Sequence, residues 1–168
     1  MEFRVRWPTK LTPRDELKPG DLFVIYGPGT HLLALRIGGK AQESAIVLAE
    51  WGDRTGASLP EVAALAIILD QVETVRVIEE GLVLEPGSET VDSVLGLDAP
   101  GAIPAGALAE MDDGRLGIFV RRQGISSAIY DLRTGEDAPR PHVRRYRNWR
   151  LSWFDGDDRI ELAGFGLA

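Results

Sequence analysis

Between Lys18 and Trp51 short apolar runs alternate with glycine breaks, and this stretch limits the possible folds more than any other. Pro19-Gly20 marks a turn, Leu22–Tyr26 is almost wholly apolar, and Gly27-Pro28-Gly29 interrupts it. Leu32–Ile37 resumes, Gly38-Gly39 interrupts again, and Ser44–Trp51 closes the unit. Apolar runs this short, bounded by Gly and Pro, read as three strands joined by turns.

A fainter copy of the pattern lies in the second half. Pro19-Gly20-Asp21-Leu22 faces Ala105-Gly106-Ala107-Leu108, and Leu35-Arg36 faces Val120-Arg121. Ser44-Ala45-Ile46 faces Ser127-Ala128-Ile129, and Arg54-Thr55-Gly56 with Pro60 faces Arg133-Thr134-Gly135 with Pro139. Val75-Arg76-Val77 is set against Asp158-Arg159-Ile160, and Gly81-Leu82 against Gly166-Leu167. Single identities between glycine-rich β sequences arise by chance, but colinear order and offsets of 79 to 86 residues favour a duplication.

The remaining segments fill in around this unit. Glu2–Trp7 alternates as a half-buried strand, Pro8 and Pro13 bracket a loop, and Thr12-Pro13-Arg14-Asp15 starts a single helical turn. Ser58-Leu59-Pro60-Glu61 is a capping-box signature for a helix over Pro60–Leu69, whereas the repeat calls for a buried strand, Ala64–Leu69. The strand is the preferred reading. Glu73–Glu79 and Gly81–Glu85 read as strands, and Pro86–Gly106 as a linker with a short strand or turn at Val91–Leu97. Ala107–Met111 and Leu116–Arg121 form a hairpin about Asp112-Asp113-Gly114, since Asp-Gly accommodates positive φ. Ser126–Leu132 runs out again, Val143–Phe154 forms one long strand, and Asp155-Gly156-Asp157-Asp158 turns it into Arg159–Ala163. The expectation is an all-β fold of about ten short antiparallel strands with at most one short helix. Its two similar halves, 1–84 and 85–168, form twin small barrels or one barrel or sandwich with a pseudo-twofold axis, with a single compact domain as the alternative division.

Several function classes are excluded outright. The chain has no cysteine, so disulfides, thiolate zinc sites and cysteine nucleophiles are ruled out, and two histidines do not make a histidine-rich metal site. Phosphate-loop and nucleophile-elbow motifs are absent, and Gly27-Pro28-Gly29-Thr30 lacks the third glycine of a dinucleotide loop. Asp155, Asp157, Asp158 and Glu161 cluster, but with Gly156 in second place they do not match a calcium loop. No acidic pair stands out for acid–base work, and His31 reads as a strand-end residue. The expectation is no cofactor and no metal. Met1–Lys10 has no apolar core and the longest apolar run is Val62–Leu69, so a soluble, cytoplasmic protein without a membrane segment is expected.

Charge is distributed unevenly. The net charge is −7, yet residues 50–113 hold 14 acids against 2 bases, while Pro139–Phe154 holds five arginines and no acid. In that segment Arg140, Arg144, Arg145, Tyr146, Arg147, Trp149 and Arg150 are candidate binding residues, with Arg144, Tyr146, Asn148 and Arg150 on one strand face. Guanidinium groups interleaved with aromatics suit anions, while arginines paired with the chain's own acids would be structural. Trp149 and Trp153 read as core or interface aromatics. The leading expectation is a non-enzymatic β-rich interaction module that associates with itself or with a protein partner. Polyanion or nucleic-acid binding through 139–154, and small-molecule binding or carboxylate catalysis in a barrel cavity, are the alternatives.

Overall fold

The computed structural model describes residues 9–27, 29–38, 45–52, 64–87, 90–92, 105–122, 125–138, 142–146 and 148–166. Among them the order is β1 (Thr9–Pro13), a 3-10 turn (Arg14–Glu16), β2 (Leu22–Gly27), β3 (Thr30–Arg36), β4 (Ala45–Gly52), β5 (Leu65–Ile67), β6 (Thr74–Ile78) and β7 (Leu82–Pro86). Then come β8 (Thr90–Asp92), β9 (Leu108–Met111), β10 (Leu116–Arg122), β11 (Ile125–Asp131), β12 (His142–Tyr146), β13 (Trp149–Asp155) and β14 (Asp158–Phe165). The protein is all-β, with more strands than the expected ten, and among the described residues the one helical turn falls where Thr12-Pro13-Arg14-Asp15 placed it. Among the described residues no helix is long and apolar enough to cross a membrane.

Strands β2, β3 and β4 form the expected meander, with Gly27 opposite Thr30 across the first turn. Strand β6 returns to pair with β2, and β5 pairs with β4, so the order is β6-β2-β3-β4-β5 with β1 on the outer side of β6. In the second half β9 and β10 form the Asp-Gly hairpin, β11 pairs with β10, and β12 returns to pair with β9. That order is β12-β9-β10-β11, with β8 outside β12 and a bridge from Tyr130 to Asp137 beyond β11. It is β12, not Asp158–Ile160, that occupies the place β6 has in the first half. A single parallel pair, Arg121 with Leu65, links the two runs. Strands β7, β13 and β14 make a separate three-stranded sheet in the order β14-β13-β7.

Two buried clusters explain why the opening runs are continuously apolar. Phe23, Ala34, Ala45, Leu69, Val75 and Leu17 pack together inside the first half. Val24, Leu33, Leu35, Ile46 and Leu48, on the opposite face of the same strands, join a larger cluster with Leu108, Ile118, Phe119, Trp149 and Leu162. A strand covered on both faces has no solvent side to fill with polar residues. The larger cluster therefore draws on both halves of the chain.

Four sequence expectations need comment. Thr9–Pro13, read as part of a proline-bracketed loop, is strand β1, at the sheet edge among the described residues, where a terminal proline disturbs only the outer side of the ladder. Leu65–Ile67 is a strand within the expected Ala64–Leu69, but only partly buried, with Leu65 and Ile68 exposed, while Pro60 and Glu61 lie outside the described residues, as do Glu2–Trp7. Of the 86–106 linker, Pro86 ends β7, and Thr90–Asp92 is the one further strand among the described residues before Ala105. Val143–Phe154 is not one strand: β12 and β13 lie in different sheets. Tyr146 is the last residue paired to β9, and Trp149 is already paired to Pro86 of β7.

Candidate functional site

The break between β12 and β13 separates the arginines expected on one face. Arg144 and Tyr146 stay together on β12, and both meet Glu110 of β9. The Tyr146 hydroxyl donates to Glu110 Oε2 at 2.8 Å, and Arg144 Nη1 lies 3.8 Å from the same oxygen. Burial, then the hydrogen bond to the Glu110 carboxylate, pushes the Tyr146 hydroxyl above the ordinary tyrosine range. Arg145 also has an interaction partner. Arg140 and Arg147 lie outside the described residues.

Arg150 stands on β13 and binds Glu161 of β14 at 2.7 Å. Beside it Arg159 pairs with Glu85 and donates to the buried Ser152 hydroxyl at 3.1 Å. The outer face of the three-stranded sheet is thus a lattice of alternating charges. The arginine segment is not a row of uncommitted cations, because Arg144 and Arg150 face acids of their own chain.

Trp149 is buried, and its indole N–H donates to the Gly106 carbonyl at 2.6 Å. Trp153 is also buried, and its N–H has no partner among the described residues. Both are core aromatics. Trp149 has a second role, as one wall of a cleft of about 510 Å³ at the seam of the halves.

That cleft is assembled from distant strands. Leu22 and Leu48 come from the first meander, Leu82 and Leu84 from β7, and Leu151 with Trp149 from β13. Leu116 and Leu132 close the other side. Leu48, Trp149 and Leu151 are buried and lie deepest, whereas Asp113, Arg115 and Arg133 are exposed and form the rim. A larger space of about 630 Å³ adjoins it at Leu22 and Leu82, but its lining is dominated by Lys10, Lys18, Glu16, Asp21, Glu79 and Glu80. Pockets that bind small molecules have an apolar body and a few convergent polar groups, which favours the smaller space.

The rim is held by one buried carboxylate. Asp131 Oδ1 accepts the backbone N–H groups of Arg133 at 2.7 Å and Thr134 at 3.0 Å. Its Oδ2 accepts Arg115 Nη1 at 3.1 Å. Arg115 Nε donates in turn to Asp113 at 2.6 Å. The Arg115 backbone N–H holds the Asp113 carboxyl below the usual carboxylate value; desolvation opposes it, and the Arg115 guanidinium adds to the lowering. The same pairing raises Arg115.

Glycines lock the rim onto the first half. The Gly38 N–H donates to the Gly135 carbonyl at 2.8 Å. A Cβ on Gly20 would strike the Arg133 carbonyl, and one on Gly135 would strike the Arg36 carbonyl and the Gly20 nitrogen. Both glycines have positive φ, +95° and +69°.

Sequence reasoning did not single out Asp131, Arg115 or the leucines of the cleft. Arg133 does fall in the R-T-G match between the halves. His31 sits at a strand end as expected, its ring edge against Tyr26 with centroids 4.7 Å apart. Among the described residues no group of three or more His, Asp or Glu side chains is arranged to hold a metal ion. No protein-family model matches the chain, and no curated protein or solved structure matches it either.

Proposed function

We propose that the protein is a non-enzymatic binding module made of two related β units, with the cleft at their seam as its binding site. The cleft carries the reading: it has the size of a small-molecule pocket, an apolar body and a short polar rim. Its one rim carboxylate, Asp113, is held in its charged form by Arg115, which makes it a weak base and favours binding over proton transfer.

The relation between the units is supported by matching hydrogen bonds. Gly20 N–H donates to the Arg36 carbonyl at 2.9 Å and Arg36 N–H to the Asp21 carbonyl at 2.8 Å. Gly106 N–H donates to the Phe119 carbonyl at 2.8 Å and Phe119 N–H to the Ala107 carbonyl at 2.9 Å, which puts Phe119, rather than the Arg121 of the sequence match, in the place of Arg36. The two glycines have φ of +95° and +98°. Together with the shared pairing order, this favours one duplicated unit.

Anilinonaphthalene sulfonate tests the site. The folded protein should bind it saturably at one site, and Leu84→Trp, which fills the cleft, should weaken binding at least about tenfold. Absence of saturable binding, or no effect of Leu84→Trp, would count against the cleft.

A second reading is self-association through β1, whose outer edge is unpaired among the described residues. Leu11 is 58% exposed and Tyr26 50% exposed, on a face they share with Arg76, which lies 5.9 Å from the Tyr26 ring centroid. Two copies meeting edge to edge about a twofold axis would cover this patch. Lys10 and Pro13 are residue types that guard open edges, which places this reading second. A solution mass of a strict monomer at every concentration would sink it. Polyanion binding through 139–154 gains least, because Arg144 and Arg150 are paired with Glu110 and Glu161.

A further inference from the structure

We propose that the seam cleft takes a single-chain amphiphile with one carboxylate head, the head at Arg133 and the apolar tail along the leucines. The inference rests on the reading of the cleft as the binding site and adds the class of ligand. Arg115 is already engaged by Asp113 and Asp131. Among the described residues the Arg133 guanidinium has no ion pair, so the uncommitted charge on the rim is a cation. Its base is anchored, with the N–H held by Asp131 and the carbonyl against Gly20. A planar guanidinium fork on a fixed backbone suits a carboxylate.

The bottom of the cleft excludes polar ligands. Leu48, Leu151 and the Trp149 ring offer no hydrogen bond, since the indole N–H is engaged by Gly106. A sugar or nucleotide placed there would leave its polar groups unsatisfied. The direction of the ligand follows from charge. Past Leu22 and Leu82 the adjoining space carries four acids against two lysines, which repels an anionic head, so the head is left at the Arg133 end.

The test is calorimetric titration of the full chain, near neutral pH, with octanoate, decanoate and dodecanoate below their micelle thresholds, and with decanol as the neutral counterpart. Affinity should rise roughly fourfold per added methylene, the increment for burying one such group. Decanoate should bind at least about tenfold more tightly than decanol, and Arg133→Gln should remove that preference by weakening decanoate much more than decanol. Leu116→Trp, with Leu84→Trp as a second filling variant should the first not melt cooperatively, should weaken both ligands. Equal binding of decanoate and decanol, or a preference that survives Arg133→Gln, overturns the carboxylate assignment while the cleft stands. Failure of every ligand to saturate, or filling variants that bind like the wild type, overturns the cleft itself.

Discussion

Gly20 and Gly135 meet backbone to backbone at the seam, so closely that a Cβ on Gly135 would run into the Gly20 nitrogen. Gly135→Ala therefore combines a clash with an unfavourable positive φ, +69°, and should cost at least about 3 kcal/mol. Gly114 has φ of +83° but nothing within 4 Å of a Cβ, so Gly114→Ala should cost only about 1 kcal/mol. Urea midpoints of the two variants check this. Equal losses would mean that the seam tolerates a side chain.

Asp131 is a buried carboxylate serving two turns at once. Asp131→Ala strips partners from the backbone N–H groups of Arg133 and Thr134 and should destabilise by roughly 2–3 kcal/mol. For a chain of this size that lowers Tm by about 5–10 °C. Asp131→Asn, which keeps an acceptor oxygen, should lose less. Melts showing Asp131→Ala within one degree of wild type would contradict the role.

The two buried tryptophans differ in one hydrogen bond. Trp149→Phe leaves the Gly106 carbonyl without its indole donor as well as opening a cavity, a loss of about 2–4 kcal/mol. Trp153→Phe opens a similar cavity but removes an N–H that has no partner among the described residues. It should cost about 1 kcal/mol less. Chemical denaturation of the pair decides, and the reverse order would refute the comparison.

Tyr146 gives the alkaline limb of stability a sign. Its hydroxyl is held protonated in the fold by burial and by Glu110, so the folded chain keeps a proton that the unfolded chain releases. This contribution is complete below the ordinary tyrosine value and is lost as pH rises through the raised one. Tyr146→Phe should flatten the fall in stability above about pH 10 relative to wild type. Parallel slopes in that window would exclude the residue as the cause.

Much of the first half was legible because its strands are buried on both faces. Phe23, Val24, Leu33, Ala34 and Leu35 have to be apolar, and Gly20 has to be a glycine, so the physical demands are written in nearly consecutive residues. The break after Tyr146 was not legible. The alternation of Trp149, Leu151 and Trp153 is real, but it belongs to β13 alone, and a local pattern carries no mark of a change of partner strand. The cleft was hidden for a related reason. Leu22, Leu48, Leu84, Leu116 and Leu151 each look like an ordinary core leucine, and only the pairing of distant strands brings them around one space. Glu110 and Asp131 were two acids among 26 until the structure placed arginines beside them.

Strand β7 follows β6 in the chain, yet its ladder runs entirely with β13 of the other half. The halves are therefore buckled together rather than merely set side by side. Cutting the chain after residue 87 would leave an amino-terminal piece with a strand lacking its mate, and a carboxy-terminal piece with a hairpin bare along one edge. Each fragment would carry the missing part of the other, so co-expressed pieces have a built-in means of finding one another and restoring the whole.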